Sequence, residues 1–498
     1  MQPISQTMTE LEAYFAPFRE KIVGYDTEFI TPYGKKPLIY ADWTASGRLY
    51  APIEEKISHQ IGPFVGNTHT ETSTTGTAMT KAYHKAKDII KAHLNAKESD
   101  VLISSNSGMT GVINKFQRIL GLKLHERFSA MIDLPAEDRP VVLVSHMEHH
   151  SNQTSWLETI ADVHVIPAGA DGLMDLAELD KLLAQYPNRI KIAAVTSCSN
   201  VTGLMTPYHE IARKMHENGG LCFVDFACSA PYIEIDMNPA DPLAALDAIY
   251  FSPHKFLGGP GSAGVLVFKA ELYKNRVPDN PGGGTVNWTN PWGEHSYIDE
   301  IEAREDGGTP SFLQTMRTAL SIQLKEKMGV QRILDREHEI LDLLWPRMKS
   351  IKGLHLLADN QPDRLGVISF YFEHIHYNLT VKLLNDRFGI QTRGGCSCAG
   401  TYGHYLLEVS YQKSKRIVDS ISHGDYSQKP GWVRLSIHPT MTNDEILYIA
   451  DALEALAENY ESWSADYIYD LHKNEFYHKS EPAMEMKLVD DWFDGSML

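Results

Sequence analysis

Between residues 141 and 268 the chain alternates short apolar runs with longer stretches of helical period. Val141–Ser145, Lys191–Thr196, Leu221–Asp225, Ala248–Ser252 and Ala263–Phe268 are dense in branched and aromatic residues and read as buried strands. Asp175–Tyr186 and Pro207–Asn218 repeat apolar positions every three to four residues and read as helices, the second stopped by Gly219-Gly220. Strands and helices alternating at this spacing predict an α/β protein with a mostly parallel, doubly wound sheet. An amphipathic helix is predicted near Thr77–Leu94. Pro278–Thr309, rich in Gly, Pro and Trp, reads as a long loop, followed by one long helix over about Thr315–Ser350. The C-terminal part reads as α+β: strand Gly366–Phe372, helix Asn378–Phe388, strand Trp432–Ile437 and helix Asn443–Tyr460. That last helix opens on Thr442-Asn443-Asp444-Glu445, a capping-box pattern.

The expected organisation is an N-terminal segment 1–40, a large α/β domain 41–310, a smaller α+β domain 311–465 and an acidic, aromatic tail 466–498, either docked or mobile. Length agrees, since 498 residues at roughly 100–200 per domain give two to four domains.

Composition removes several function classes. With 43% apolar and 22% charged residues, disorder over the whole length is excluded. Lys and Arg number 46 against 64 Asp and Glu, a net charge of −18, and no Lys/Arg run exceeds two residues. A nucleic-acid-binding protein needs a basic stripe instead. No apolar run approaches the ~20 residues of a membrane span. The opening MQPISQTMTE has no secretory core. Five cysteines at 198, 222, 228, 396 and 398 are too few for a disulfide framework, so a reducing cytoplasm is expected.

Three segments carry chemistry. In Tyr250-Phe251-Ser252-Pro253-His254-Lys255 a strand runs into a polar loop that presents a lysine. A lysine partly desolvated at a strand end can form a Schiff base with an aldehyde; alone, such a lysine is more often merely solvated. Leu221–Val224 ends in Asp225, a carboxylate at the edge where α/β sheets bind ligands. Pyridoxal phosphate requires an anion at its ring nitrogen, although a strand-end Asp also commonly caps a turn. Val101–Ser105 leads through Ser107-Gly108-Met109 into a helix near Thr110, and a helix N-terminus with glycine and hydroxyls suits a phosphate, or is an ordinary capped turn. The three together, in this order, point to one cofactor.

With these segments in place the chain resembles the class-V, fold-type-I pyridoxal-phosphate enzymes, in their cysteine desulfurase and selenocysteine lyase branch, over roughly residues 38–460. Tyr40–Ser46 resembles the family's opening motif, Asn67-Thr68-His69 its "N-x-H", Ser107–Thr110 its phosphate loop, and Glu148-His149-His150-Ser151-Asn152 its "E-H-H-x-N". Ser199–Gly203 matches "S-N-x-x-G", Ser252–Lys255 "S-x-H-K", and Gly308-Thr309-Pro310 "G-T-P". The resemblance implies a large domain with a seven-stranded-type sheet. It also implies Lys255 as the cofactor lysine, His149 stacked on the pyridine ring and aiding proton transfer, and Asn200 at the phenolate oxygen. Asp225 would hold the ring nitrogen, with Gly108, Met109, Thr110, Ser252 and His254 in the cofactor site. Thr285 would reach the phosphate of a neighbouring subunit, making a homodimer with shared sites, and Ala45 and His69 would join the substrate-binding residues.

Arg393-Gly394-Gly395-Cys396-Ser397-Cys398-Ala399 resembles the branch's loop carrying a catalytic cysteine. By position Cys398 is the nucleophile and Cys396 an extra thiol; a C-x-C metal pair would lack two further ligands. Gly431–Ser436 resembles the strand bearing a carboxylate-binding arginine. The planar guanidinium of Arg434 suits an amino-acid carboxylate, with Arg393 secondary. The resemblance thus implies L-cysteine desulfuration or selenocysteine lysis with a sulfur-acceptor protein as partner. Transamination, epimerisation or C–S lysis without a thiol, and a non-catalytic scaffold, stay open. Three departures from the family are visible: Phe226-Ala227-Cys228 replaces the usual Gly-Ala-Gln after Asp225, Cys396 and Ser397 replace two histidines, and segment 401–431 is longer than usual.

Overall fold

The computed structural model of the chain describes residues 8–68, 70–105, 108–129, 131–132, 134–480 and 484–495. It divides into two units. One holds Thr44–Asn200 and Leu204–Leu334; the other holds the chain up to Trp43, the short stretch Val201–Gly203, and everything from Asp335.

The larger unit is built on seven strands: β1 (Val101–Ser105), β2 (Val141–Ser145), β3 (Asp162–Ile166), β4 (Lys191–Thr196), β5 (Leu221–Asp225), β6 (Ala248–Phe251) and β7 (Gly264–Phe268). Their order across the sheet is β1-β7-β6-β5-β4-β2-β3. Only β7 runs against its neighbours, β1 and β6; the remaining pairs are parallel. Helices cover both faces, so β2, β4 and β7 are buried at every residue, which is why they read as unbroken apolar runs. Phe116 of helix Met109–Ile119 packs on Phe223 and Phe268 at centroid separations of 5.1 and 5.0 Å, fixing that helix to the sheet. Because six strands share a direction, the ends of β1, β2, β4, β5 and β6 deliver their loops to one edge.

The second unit carries a four-stranded antiparallel sheet of β8 (Leu354–Leu356), β9 (Val367–Phe372), β10 (Arg393–Gly395) and β11 (Trp432–Ser436), ordered β8-β9-β11-β10. Ile39–Tyr40 adds a short parallel pair with Ile390–Gln391. The expected capping box at Thr442 is formed, with Glu445 N donating to Thr442 Oγ1 at 3.1 Å and Thr442 N to Glu445 Oε2 at 3.0 Å.

Two segments differ from the sequence reading, and two that it left without elements carry them. The single helix expected over 315–350 is two, Phe312–Met328 and Val330–Ser350, separated at Gly329, whose φ of 80° takes the chain out of the right-handed helix. The loop 278–309 contains a hairpin, Val286–Thr289 with His295–Tyr297, and a helical turn Ile301–Glu305. Segment 401–431 is largely helical, over Gly400–Leu406 and Tyr411–Ser422. The tail forms a hairpin, Tyr467–Asp470 with Glu475–His478, and a helix Met484–Trp492. The hairpin turn is docked through Asn474, whose Nδ2 donates to Tyr377 Oη at 2.6 Å and whose carbonyl accepts from Asn378 Nδ2 at 2.5 Å.

Candidate active site

The carboxyl edge of the large sheet collects most of the cofactor residues expected from the sequence. Asp225 ends β5 with its carboxylate buried. Its Oδ1 accepts from Ala227 N at 2.8 Å, and no hydrogen bond among the described residues uses the other oxygen. Burial pushes its pKa up to about 6, against the opposing pull of the Ala227 N–H and the Lys255 charge. A buried carboxylate with an open acceptor and a cation in its field is what a protonated ring nitrogen needs.

Lys255 closes the single turn Pro253–Lys255 immediately after β6. Beside it, burial and the Lys255 charge lower the His254 pKa to about 4, leaving the imidazole neutral near pH 7. The turn is braced from segment 44–47: Gly47 N donates to His254 O at 2.9 Å and Ser46 Oγ to the same carbonyl at 3.3 Å. This places the segment containing Ala45 against the lysine loop.

Gly108 and Met109 form a cradle facing Ser252. Met109 N donates to Ser252 Oγ at 2.8 Å. Gly108 has φ 114°, and a Cβ there would stand 3.1 Å from Ser252 Oγ, so only glycine suits the position. Thr110, on the first turn of the following helix, shares a hydrogen bond of 2.6 Å with Ser151 Oγ. His149 caps the helix His150–Leu157; its Nδ1 accepts from Ser151 N at 3.1 Å, so in the neutral ring the proton resides on Nε2. Asn200, 6% exposed, follows β4 at the same edge. Glycine cradle, neutral histidine, open buried carboxylate and lysine fit the phosphate, ring and aldehyde of pyridoxal phosphate.

Three groups at this edge were not singled out by sequence. Glu148 is fully buried, and burial lifts its pKa to about 8. It accepts from Ser145 Oγ at 2.5 Å, Asn152 Nδ2 at 2.8 Å and Thr196 N at 2.8 Å, tying the His149 loop to β2 and β4. Tyr250 Oη donates to Asn152 Oδ1 at 2.7 Å, extending the network under the site. Gly264 on β7 allows the Gly108 carbonyl to approach; a Cβ there would lie 2.3 Å from it. Glu148 and Asn152 stand inside the quoted "E-H-H-x-N" and carried that signal. Gly264 carried only the hint of a glycine opening a buried strand.

Cys228, where the family's glutamine would stand, is buried and its Sγ donates to Ser199 O at 3.7 Å. Thr285 is fully buried and hydrogen-bonded inside its own turn, its Oγ1 donating to Gly282 O at 2.7 Å. His69 lies outside the described residues.

The thiol and both arginines belong to the other unit. Arg434 sits in the middle of β11, 3% exposed, and pairs in register with the exposed Arg393 on β10. Beyond β10, Cys396-Ser397-Cys398-Ala399 makes a tight turn closed by Ala399 N donating to Cys396 O at 2.9 Å. Its central residues have φ of 50° and 57°, the type I′ pattern that normally calls for Asn-Gly. Neither Ser397 nor Cys398 is glycine, so each holds a conformation costing roughly 1–2 kcal/mol. Cys396 and Cys398 are partly exposed while Cys198, Cys222 and Cys228 are buried. Among the described residues no cluster of three or more His, Cys, Asp or Glu is placed to hold a metal ion, and no helix is long and apolar enough to cross a membrane.

Comparison with known proteins bears on the family and the fold. The chain is 29% identical over 368 residues to a probable cysteine desulfurase of Staphylococcus epidermidis, covering 73% of this chain and 84% of the relative. It is 27% identical over 367 residues to a probable cysteine desulfurase of Halalkalibacterium halodurans, with the same coverage of 73% and 84%. Among solved structures, the apo cysteine desulfurase of Thermococcus onnurineus NA1 superposes with a TM-score of 0.70 at 20% identity, over 91% of this chain and 99% of that one. The cysteine desulfurase CsdA of Escherichia coli gives 0.69 at 22% identity, over 89% and 98%. These structural likenesses establish the fold, the fold-type-I architecture expected from the sequence. Residues 39–449 match the aminotransferase class-V family, and the chain belongs to it.

Proposed function

We propose that the chain is a pyridoxal-phosphate-dependent enzyme that takes the sulfur from L-cysteine, leaving L-alanine and an enzyme-bound persulfide. One observation carries the choice of reaction: Cys398, partly exposed, is presented on a strained turn that follows directly from Arg393–Gly395. The names of the relatives in Staphylococcus epidermidis and Halalkalibacterium halodurans support it.

Pyridoxal phosphate, when bound, supplies an electron sink for the amino acid's breaking bonds. Gly108, Met109, Thr110, Ser252 and His254 would hold its phosphate, Asp225 its ring nitrogen and Asn200 its phenolate oxygen. Lys255 Nζ would anchor it and then move the substrate's α-proton, with His149 Nε2–H as a second proton-carrying group. Arg434, seconded by Arg393, would hold the substrate carboxylate. Cys398 Sγ, as thiolate, attacks the substrate sulfur. A sulfur–sulfur bond forms, the Cβ–S bond breaks, and its electron pair stays with Cβ, which takes a proton to become the methyl of alanine. No external oxidant is required. We further propose a cytoplasmic homodimer, with Thr285 serving the neighbouring subunit, that passes its persulfide sulfur to an acceptor protein.

The deciding experiment incubates the holoenzyme with L-cysteine and measures alanine, sulfide and the mass of the Cys398 peptide. The expected result is a gain of one sulfur on Cys398. Absence of persulfide, with Cys398→Ala turning over its best amino acid normally, replaces this reading by a thiol-independent class-V reaction.

A further inference from the structure

Arg434 is a cation almost sealed in the second unit, and a cation so placed needs an anion. Asp42 supplies one: Arg434 Nη2 donates to Asp42 Oδ1 at 2.6 Å, with side chains 3% and 17% exposed. The two residues are 392 positions apart in sequence. Their meeting depends on how the segment before Thr44 is held. Ile39–Tyr40 pairs with Ile390–Gln391, Ser436 N donates to Ala41 O at 2.8 Å, and Asp42 itself bridges to Ser436. The next residue, Trp43, stacks on His438 at a centroid separation of 4.0 Å. Asp42 is therefore fixed from both sides, not a mobile counter-ion.

The register adds a second reason for an anion. Arg393 lies directly opposite Arg434 across β10 and β11, so two guanidiniums share one face of the sheet, an arrangement that is destabilising unless compensated. Asp42, Arg434 and Arg393 together carry one net positive charge, which matches one carboxylate.

We propose that Asp42 is a positioning residue: it orients the Arg434 guanidinium for an α-carboxylate and sets the charge of the site for amino acids with a single carboxylate. The proposal rests on Arg434 being the substrate clamp. Nothing in it requires a catalytic thiol.

The test uses the full-length holoenzyme. L-Alanine, L-aspartate and ethylamine are titrated against the cofactor absorbance, and L-cysteine turnover is measured alongside. Asp42→Asn is expected to raise the L-alanine Kd and the L-cysteine KM tenfold or more, with kcat within threefold and ethylamine binding unchanged. The ratio of the L-aspartate Kd to the L-alanine Kd should fall at least fivefold. Asp42→Glu should give values between the wild type and Asp42→Asn, and in an Arg434→Gln background Asp42→Asn should add less than twofold. Unchanged Kd and KM, a loss in kcat alone, or a full effect persisting in the Arg434→Gln background overturns the proposal. If Asp42→Asn does not fold, Asp42→Glu decides: a severalfold rise supports it and wild-type values overturn it. A wild type that binds L-alanine but does not desulfurate L-cysteine removes only the reaction proposed above, and the amino-acid titrations then decide Asp42 alone. An L-alanine Kd unaffected by Arg434→Gln removes the clamp, and Asp42's role with it.

Discussion

Replacing Gly264 by alanine adds one methyl group in the sheet, yet it should act at the Gly108–Met109 cradle proposed to hold the phosphate. The new Cβ would lie 2.3 Å from the Gly108 carbonyl oxygen and 2.6 Å from its carbon. Ordinary contact needs about 3.4 Å or more, so either the cradle retreats by roughly 1 Å or the β1–β7 ladder opens. The ladder pairs Gly264 with Ser105 and continues to Phe268 with Val101, and every β7 residue is buried. The cradle, at the ladder's end, is therefore the part that gives. Overpacking of this kind costs ~1–3 kcal/mol of stability, which a domain with ~5–15 kcal/mol survives. Gly108 and Met109 would leave their place opposite Ser252, and a displacement of ~1 Å at a binding constellation can cost about 100-fold in rate. We expect the pyridoxal phosphate Kd of the apoprotein to rise at least tenfold, about 1.4 kcal/mol, by absorbance titration, with a modest fall in apoprotein melting temperature. Wild-type cofactor affinity in Gly264→Ala, together with an unchanged melting temperature, would refute the close approach on which the cradle argument stands.

The role proposed for Lys255 is checked by absorbance: Lys255→Ala, freed of unbound cofactor, should lack the visible band expected of the wild type, and added pyridoxal phosphate should not restore it. Alkylation at neutral pH should modify Cys398 and Cys396 well before Cys198, Cys222 and Cys228, because the last three are buried; equal rates for all five would contradict the burial. Cys398→Ala should lose L-cysteine desulfuration while still binding L-alanine, and Cys396→Ala should keep much of the rate. Acid stability tests His438, which burial holds at a pKa of about 3 against about 6.5 unfolded. A depressed pKa gives stability that is present above pH ~6.5 and lost as pH falls toward 3, on the order of 4–5 kcal/mol in all. His438→Phe should flatten that slope in urea titrations at pH 4 to 7, and an unaltered slope would clear His438. Sedimentation should show a dimer, and a fully active monomer at micromolar concentration would remove Thr285 from the neighbour's site.

What could be read from sequence was whatever is written in consecutive residues. β2, β4 and β5 are buried on both faces, so their apolar runs stood out. Asp225, Lys255 and the Gly108 turn follow strands directly, so their place at the sheet's carboxyl edge could be read from the chain. The hairpin at Val286–Tyr297 escaped because its strands are four and three residues long and mainly exposed, too short for the Val286/Trp288 alternation to stand out in a loop rich in Gly and Pro. The break at Gly329 escaped because a lone glycine is tolerated within a helix, and only the structure shows its positive φ. Asp42 stood inside the quoted Tyr40–Ser46 motif and Gly264 at the start of a buried strand, but what each touches could not be read. Each matters through one close approach, Gly264 to the Gly108 carbonyl and Asp42 to Arg434, and a single sequence does not say which distant residues meet.

The way these residues are shared out has a consequence for how the chemistry can be dissected. Gly108, Met109, Thr110, His149, Asn200, Asp225, Ser252, His254 and Lys255 all belong to the unit built on the seven-stranded sheet. Asp42, Arg393, Cys396, Cys398 and Arg434 all belong to the other. The cofactor anchoring proposed above therefore draws on the carboxyl edge of a buried sheet, where Glu148 ties the His149 loop to β2 and β4. The thiol instead rides a turn whose two central residues hold left-handed conformations without glycine. Such conformations persist only where the surroundings enforce them, so the position of Cys398 depends on what packs around the turn. Substitutions in the sheet unit should register in cofactor absorbance and leave thiol alkylation rates alone. Substitutions in the turn should do the reverse. Effects of substitutions that share no partner are additive in free energy unless a shared step couples them. A double variant such as Gly264→Ala with Ser397→Gly should then show independent effects on cofactor affinity and on alkylation rate, and non-additivity in L-cysteine turnover alone if the proposed reaction uses both.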